Sequence, residues 1–546
     1  MLVLVTLLFV VAAIPSSAAQ HQPADTATRP ELDPKLGSYQ YAITTSNPEA
    51  QRFFNQGLTL LYGFNHDEAA RYFRRASELD PEAAMPYWGL ALATGPNYND
   101  TEVDAGRATA TYEAVQNALR NAERATALER DMIRALARRY ASPNPQSNWK
   151  QFHLDYSDTM REVAAKYPDD LDAAVMFAES LMMLRPWQLW TSDGKPVTGT
   201  LELVSVLESV LKRNPQHPGA NHFYIHSVEA SPNLERAIPG AIRLMDLVPG
   251  AGHLVHMPRH IFLQTGDFDL AARTNERAAA ADEEFVTRTG AKGIYPLMYW
   301  THNILFVSYA RAQQGRYDDA KKAAREMVAN VRDNVDHMQT LEGFVLNPLF
   351  VDLRFRRWDE ILRAPAPNTN WKLHTAFWHY ARAMAFAAQG RIADSGEEHK
   401  KFDDLRNTLP PETQFLINNK ASSFLEVAAA TLEAQIAWTR GRQDQSIRHW
   451  RHAVELESKL AYDEPPAWYY PIQQSLGAAL LRNGQATQAE AVFREALERR
   501  PRDGRLLFGL WESLKSQKRD REAVFVEQEF RTAWKDATVT LRLEDL

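Results

Sequence analysis

The chain has 546 residues, a net charge of −7 and no cysteine, with hydrophobic and aromatic shares of 45% and 10%. The missing cysteine excludes disulfides, thiolate metal sites and cysteine nucleophiles, and an acidic balance without a basic block argues against nucleic acid as the partner. The apolar share is ample for a large buried core, and a repeat array reaches this length as one continuous body.

The N-terminus reads as an export signal. Leu2–Ile14 is an apolar run of 13 residues, short for a bilayer span and suited to a signal core. Ser17-Ala18-Ala19 offers small residues for cleavage before Gln20, although no Lys or Arg precedes the run. These features predict a signal peptide over 1–19, a disordered leader over 20–49, and a periplasmic or secreted product with no membrane span after cleavage.

From residue 50 a fixed pattern sets in. Phe53, Gly57, Leu60, Ala69, Phe73, Ala76 and Pro81 set it, and the last six recur in phase as Gly477, Leu480, Ala489, Phe493, Ala496 and Pro501. Small residues at such positions let two helices approach, large ones fill the space between units, and the proline stops the second helix. Weaker units carry the pattern across 50–535, and turns fall at Gly266-Asp267, Gly315-Arg316, Gly390-Arg391, Gly441-Arg442 and Asn483-Gly484. Residues 536–546 remain as a C-terminal tail.

The pattern resembles the tetratricopeptide repeat family, in an exported bacterial type with a histidine-rich central region. The resemblance implies an all-α fold, an α-α superhelix (solenoid) with loop insertions. It also implies a protein or peptide partner bound in the concave groove that the first helix of each unit lines. Three interruptions are expected as loops: Gly95–Asp100 with the stretch after it, Pro186–Gly199, and Asp282–Pro296. Two of them flank the histidine-bearing units, as a lid or rim would. Trp88, Asn97 and Tyr98 fall at the groove end of the second unit, as candidate ligand contacts. Glu464–Pro471, rich in proline and aromatics, reads as punctuation between helices.

The chemistry-bearing residues are central. His222 and His226 recur 34 residues later as His256 and His260, as does Pro215 at Pro249, and 34 residues is one helix–turn–helix unit. If those prolines close their units, His222, His226 and Glu229 lie at i, i+4 and i+7, and His253, His256 and His260 at i, i+3 and i+7. Aligning Gly266 with Gly315 puts His302 where His253 stands one unit earlier, and Glu179 faces the groove from the unit before. Pro258 disfavours helix at Met257, so His253 and His256 would sit on an entry segment.

Two readings stand side by side. In one, the groove of an exported scaffold binds a peptide or protein, with Arg259 and the histidines recognising carboxylates. In the other, His222, His226, Glu229, His253, His256, His260 and His302 hold a divalent transition metal such as zinc, copper or iron. That would make the chain a metal-dependent hydrolase or oxygenase, or a metal carrier, with Glu229 or Glu179 as general base. No GxSxG elbow, phosphate loop or His-Glu-x-x-His motif occurs.

Overall fold

A computed structural model describes residues 29–144, 148–191, 193–415 and 419–546; the expected signal peptide over 1–19 lies outside them. The described chain is almost wholly helical, with one two-stranded piece at Gln414–Phe415 and Asn419–Lys420. Consecutive helices pack as antiparallel pairs. Pro48–Tyr62 pairs with His66–Leu79, Thr301–Gln313 with Tyr317–Val331, Lys372–Ala388 with Ile392–Arg406, and Gln473–Arg482 with Ala486–Arg499.

The expected packing chemistry is present. Phe73 is wedged between Gly57 of its own hairpin and Gly89 of the next helix, where an added methyl would come within 2.9 and 2.5 Å of the ring. Phe493 sits likewise between Gly477 and Gly509, with 2.4 and 2.2 Å available. Gly266, Gly315, Gly390, Gly441 and Gly484 all take the left-handed backbone, φ 72–77°, that a tight helix–helix turn demands.

The N-terminal hairpins bury one large core and the C-terminal hairpins another, with smaller clusters between them. The solenoid then folds back on itself. Arg502 pairs with Asp267, Trp534 packs on Gly315, and Arg354 donates to Gln313 at 2.8 Å from beside the C-terminal units.

The structure departs from one expectation here and places the tail. Residues 29–47, read as part of a leader without fixed structure, are laid along the solenoid: Gly250 N donates to Lys35 O at 2.8 Å, Tyr39 donates to Asp172 at 2.7 Å, and Thr44 N donates to Glu129 at 2.7 Å. The 536–546 tail is docked as well, with Leu541 and Leu546 buried and Ser475 donating to Leu546 O at 2.7 Å. Both segments lack helical periodicity and are held by hydroxyl and backbone groups, which repeat patterning does not register. Among the described residues no helix is long and apolar enough to cross a membrane.

Candidate metal centre

The helix Pro218–Val228 starts where proline fits best, at its first turn, and His217 caps it by accepting from Ala220 N through Nδ1 at 3.2 Å. His222 and His226 are one turn apart on this helix, with Glu229 just past its end. In the next unit the helix is broken as Pro258 requires, into Gly252–His256 and Pro258–Gln264. The break does not scatter the histidines. His222, His226 and His253 present ligand atoms within 4.8 Å of one another, and so do His226, Glu229 and His260.

The hydrogen bonds around the first triad are one-sided. His222 places Nδ1 2.5 Å from the Tyr62 carbonyl, a helix-end group with no partner inside its own helix. His226 places Nδ1 2.8 Å from Glu229 Oε1. Both Nε2 atoms are buried without a partner, as are both ring nitrogens of His253. The Tyr62 carbonyl can only accept, so His222 carries its proton on Nδ1 and leaves Nε2 as a free lone pair, which is how outer partners orient metal-binding imidazoles; Glu229 does the same for His226 once it is ionised. All three side chains are at most 3% exposed. Each such nitrogen costs about 1–3 kcal/mol unless an ion or a water takes its lone pair or proton.

Burial keeps these imidazoles neutral, the form that ligates. It lowers His222 to about 3 and moves His226, His253, His256, His260 and His302 well below the usual histidine range. Glu229 moves the other way, well above the carboxylate range, through burial and the neighbouring Glu464. A cation among the imidazoles acts against that rise. His260 Nδ1 is 2.5 Å from Glu229 Oε2 and also contacts Glu464. Arg259, held down to about 9 by burial, lies with its guanidinium among His256, His260 and His302.

Aromatic rings wall the site. Phe64 lies 4.5 Å from His222 and 5.5 Å from His253, Tyr98 5.4 Å and Trp187 5.7 Å from His226, and Tyr299 5.2 Å from His253. Tyr98 comes from the first interruption of the repeat, Trp187 from the second, and Tyr299 from just after the third. Beyond Phe64 and Tyr98 is a cavity of about 30 Å³, reached by Asn97, Arg139 and Glu179. That is room for a water or two.

Several expected residues stand elsewhere. Glu179 is not among the histidines: Arg139 donates to both its oxygens at 3.1 Å, so an ion pair occupies the proposed base. Trp88 is 2% exposed inside the N-terminal core and offers no surface to a ligand. Asn97 staples its own loop, accepting from Asn99 N and Asp100 N at 3.0 Å. Two contributors were not foreseen. Glu464, read as punctuation, reaches the site from 205 residues beyond Arg259. Phe64 takes φ 54° at the turn position that glycine fills in five later units and Arg356 and Lys518 in two others, so nothing in the repeat pattern marked it.

Among known families, the tetratricopeptide repeat matches residues 470–503, and those residues are such a repeat. No curated protein matches the chain. Solved structures that align along it include the human IFIT1 dimer with m7Gppp-AAAA, at 13% identity over 90% of this chain and 91% of that one, TM-score 0.33. The APC/C hetero-tetramer Cut9–Hcn1 aligns at 12% over 90% and 74%, TM-score 0.29, and the P58(IPK) TPR domain at 12% over 87% and 99%, TM-score 0.20. Overlaps this loose carry nothing about ligands or activity.

Proposed function

We propose that this helical-repeat protein is an exported metalloprotein in which His222, His226 and His253 hold a resident divalent transition metal. The observation that carries the reading is the pair of imidazoles with Nδ1 tied to an acceptor and Nε2 buried, unpartnered and converging with His253. Three neutral imidazoles suit zinc, copper or iron and leave a coordination position open. An ion so held lowers the pKa of a bound water or polarises a substrate oxygen, which is the chemistry of a hydrolase or an oxygenase. Glu229 and Glu464 are then the carboxylates beside it, with Glu229 orienting His226. Burial under the aromatic wall favours a resident ion over a transported one.

The repeat architecture supports a second role, as a scaffold for a protein or peptide partner. The histidines and Arg259 are covered by the chain's own loops, so such docking belongs to another part of the surface. An exported, periplasmic or secreted location fits the N-terminal apolar run.

Elemental analysis of protein purified without a polyhistidine tag tests the reading. About one zinc, copper or iron per chain is expected, absent from His222→Ala and retained in Glu179→Gln. Protein that stays metal-free when grown and dialysed with each of these ions would eliminate it.

A further inference from the structure

Arg259 is surrounded in an unusual way. Its Nη2 lies 2.7 Å from His256 Nε2, 2.7 Å from His260 Nε2, 3.1 Å from His302 Nε2 and 3.5 Å from Glu464 Oε2. The tautomers of two of these rings follow from their neighbours. Asn275 donates its amide to Ala271 O at 2.8 Å, so the Oδ1 facing His256 Nδ1 at 2.8 Å is an acceptor and His256 carries its proton on Nδ1. His260 Nδ1 lies 2.5 Å from Glu229 Oε2 without hydrogen-bond geometry, but its Nε2 stands against Arg259 Nη2, which can only donate, so that Nε2 is an acceptor. Both rings therefore aim free Nε2 lone pairs inward.

Two N–H bonds on Nη2 cannot serve four acceptors, even with Nε donating to His256 at 3.2 Å. A metal ion accepts all the lone pairs at once. One pair already has the spacing: His256 Nε2 and His260 Nε2 are 3.2 Å apart, against about 3.3–3.4 Å for two ligands of a tetrahedral ion with bonds of about 2.0–2.1 Å, while His302 has to close in as the guanidinium leaves. Glu464 supplies the anionic donor.

We propose that His256, His260 and His302, completed by Glu464, form a second transition-metal site in which the Arg259 guanidinium stands where the ion binds. Guanidinium and metal compete for the same lone pairs, so Arg259 keeps the centre mononuclear until a divalent ion displaces it. The inference stands on its own ligands and does not require an ion among His222, His226 and His253.

Cobalt titration of chelator-stripped protein tests it, because tetrahedral cobalt absorbs visibly and reports its ligands. Arg259→Met keeps the apolar stem and removes the cation. It is expected to take up one more Co²⁺ per chain than His302→Ala in the same background, and to bind that ion at least about tenfold more tightly than the native chain binds its second, the scale on which groups beside a metal act. His222→Ala should leave this ion in place, which separates the result from the fate of the first triad. An Arg259→Met chain that gains no ion, or one whose extra ion survives His302→Ala, overturns the proposal. If Arg259→Met fails to fold, judged by circular dichroism, the single His302→Ala variant decides. The native chain at high Co²⁺ should show a second, weaker uptake that this variant lacks, and uptake equal in the two chains overturns the proposal.

Discussion

Phe64 holds a left-handed turn position, as Arg356 and Lys518 do in later units, and puts an aromatic ring there. A side chain at φ 54° costs about 1–2 kcal/mol that glycine avoids, yet only a ring at this turn stacks against His66, His226 and His253 at once. Asp282 is a second residue under stress. It is 1% exposed, accepts from Tyr295 at 2.8 Å and from Asn303 at 2.6 Å, and burial raises its carboxyl to about 7. A folded-state pKa above the unfolded value means that the native chain holds a proton the unfolded chain has released. Its stabilising contribution is therefore whole below about pH 4 and is lost as pH rises through 7. Between pH 5.5 and 7.5 the native chain should lose about 2 kcal/mol that Asp282→Asn does not lose. Denaturant midpoints of both proteins at the two pH values measure this, and parallel slopes would refute it. The histidines were legible in the sequence because a spacing of 34 residues repeats. Glu464 was not, because its approach depends on how distant hairpins fold back.

At the scale of the element, the hairpin pattern was readable almost throughout, since turn glycines and small–large pairings are local. Gly57, Phe73 and Gly89 recur as Gly477, Phe493 and Gly509 at one constant offset, and the structure uses both sets in the same way. Gly509→Ala should destabilise the chain by about 1–3 kcal/mol, because its new methyl would overlap the Phe493 ring. Gly396→Ala, in a helix with nothing within 4 Å, should stabilise by about 0.5–1 kcal/mol. Thermal melts of the two variants should move in opposite directions; a shared direction would discredit the packing argument. Illegible at this scale were the aperiodic pieces, residues 29–47 and the tail, whose contacts are made with elements far along the chain.

At the scale of the molecule, Glu464 comes to the histidines from a hairpin that a simple solenoid would keep apart from theirs. Repeat arrays contact only their neighbours and can melt in stages. Here Glu464 and Arg502 tie C-terminal units to His260 and Asp267 in the middle. Metal-loaded protein should therefore unfold in one calorimetric transition, and chelated protein in two or more at lower temperature. Free zinc at about a hundred times its dissociation constant adds about 2.7 kcal/mol to the loaded form. Indistinguishable thermograms would contradict this coupling.

The aromatic wall and the returning Glu464 also bear on biosynthesis. Every histidine of the centre leaves the ribosome before Glu464 does, so the growing chain presents its imidazoles before the returning carboxylate covers them. On the metalloprotein reading, the ion is first met while the polypeptide matures, and the finished chain exchanges it only as the Glu464 segment opens. The cellular compartment in which maturation finishes, with whatever metals are abundant there, then chooses the element.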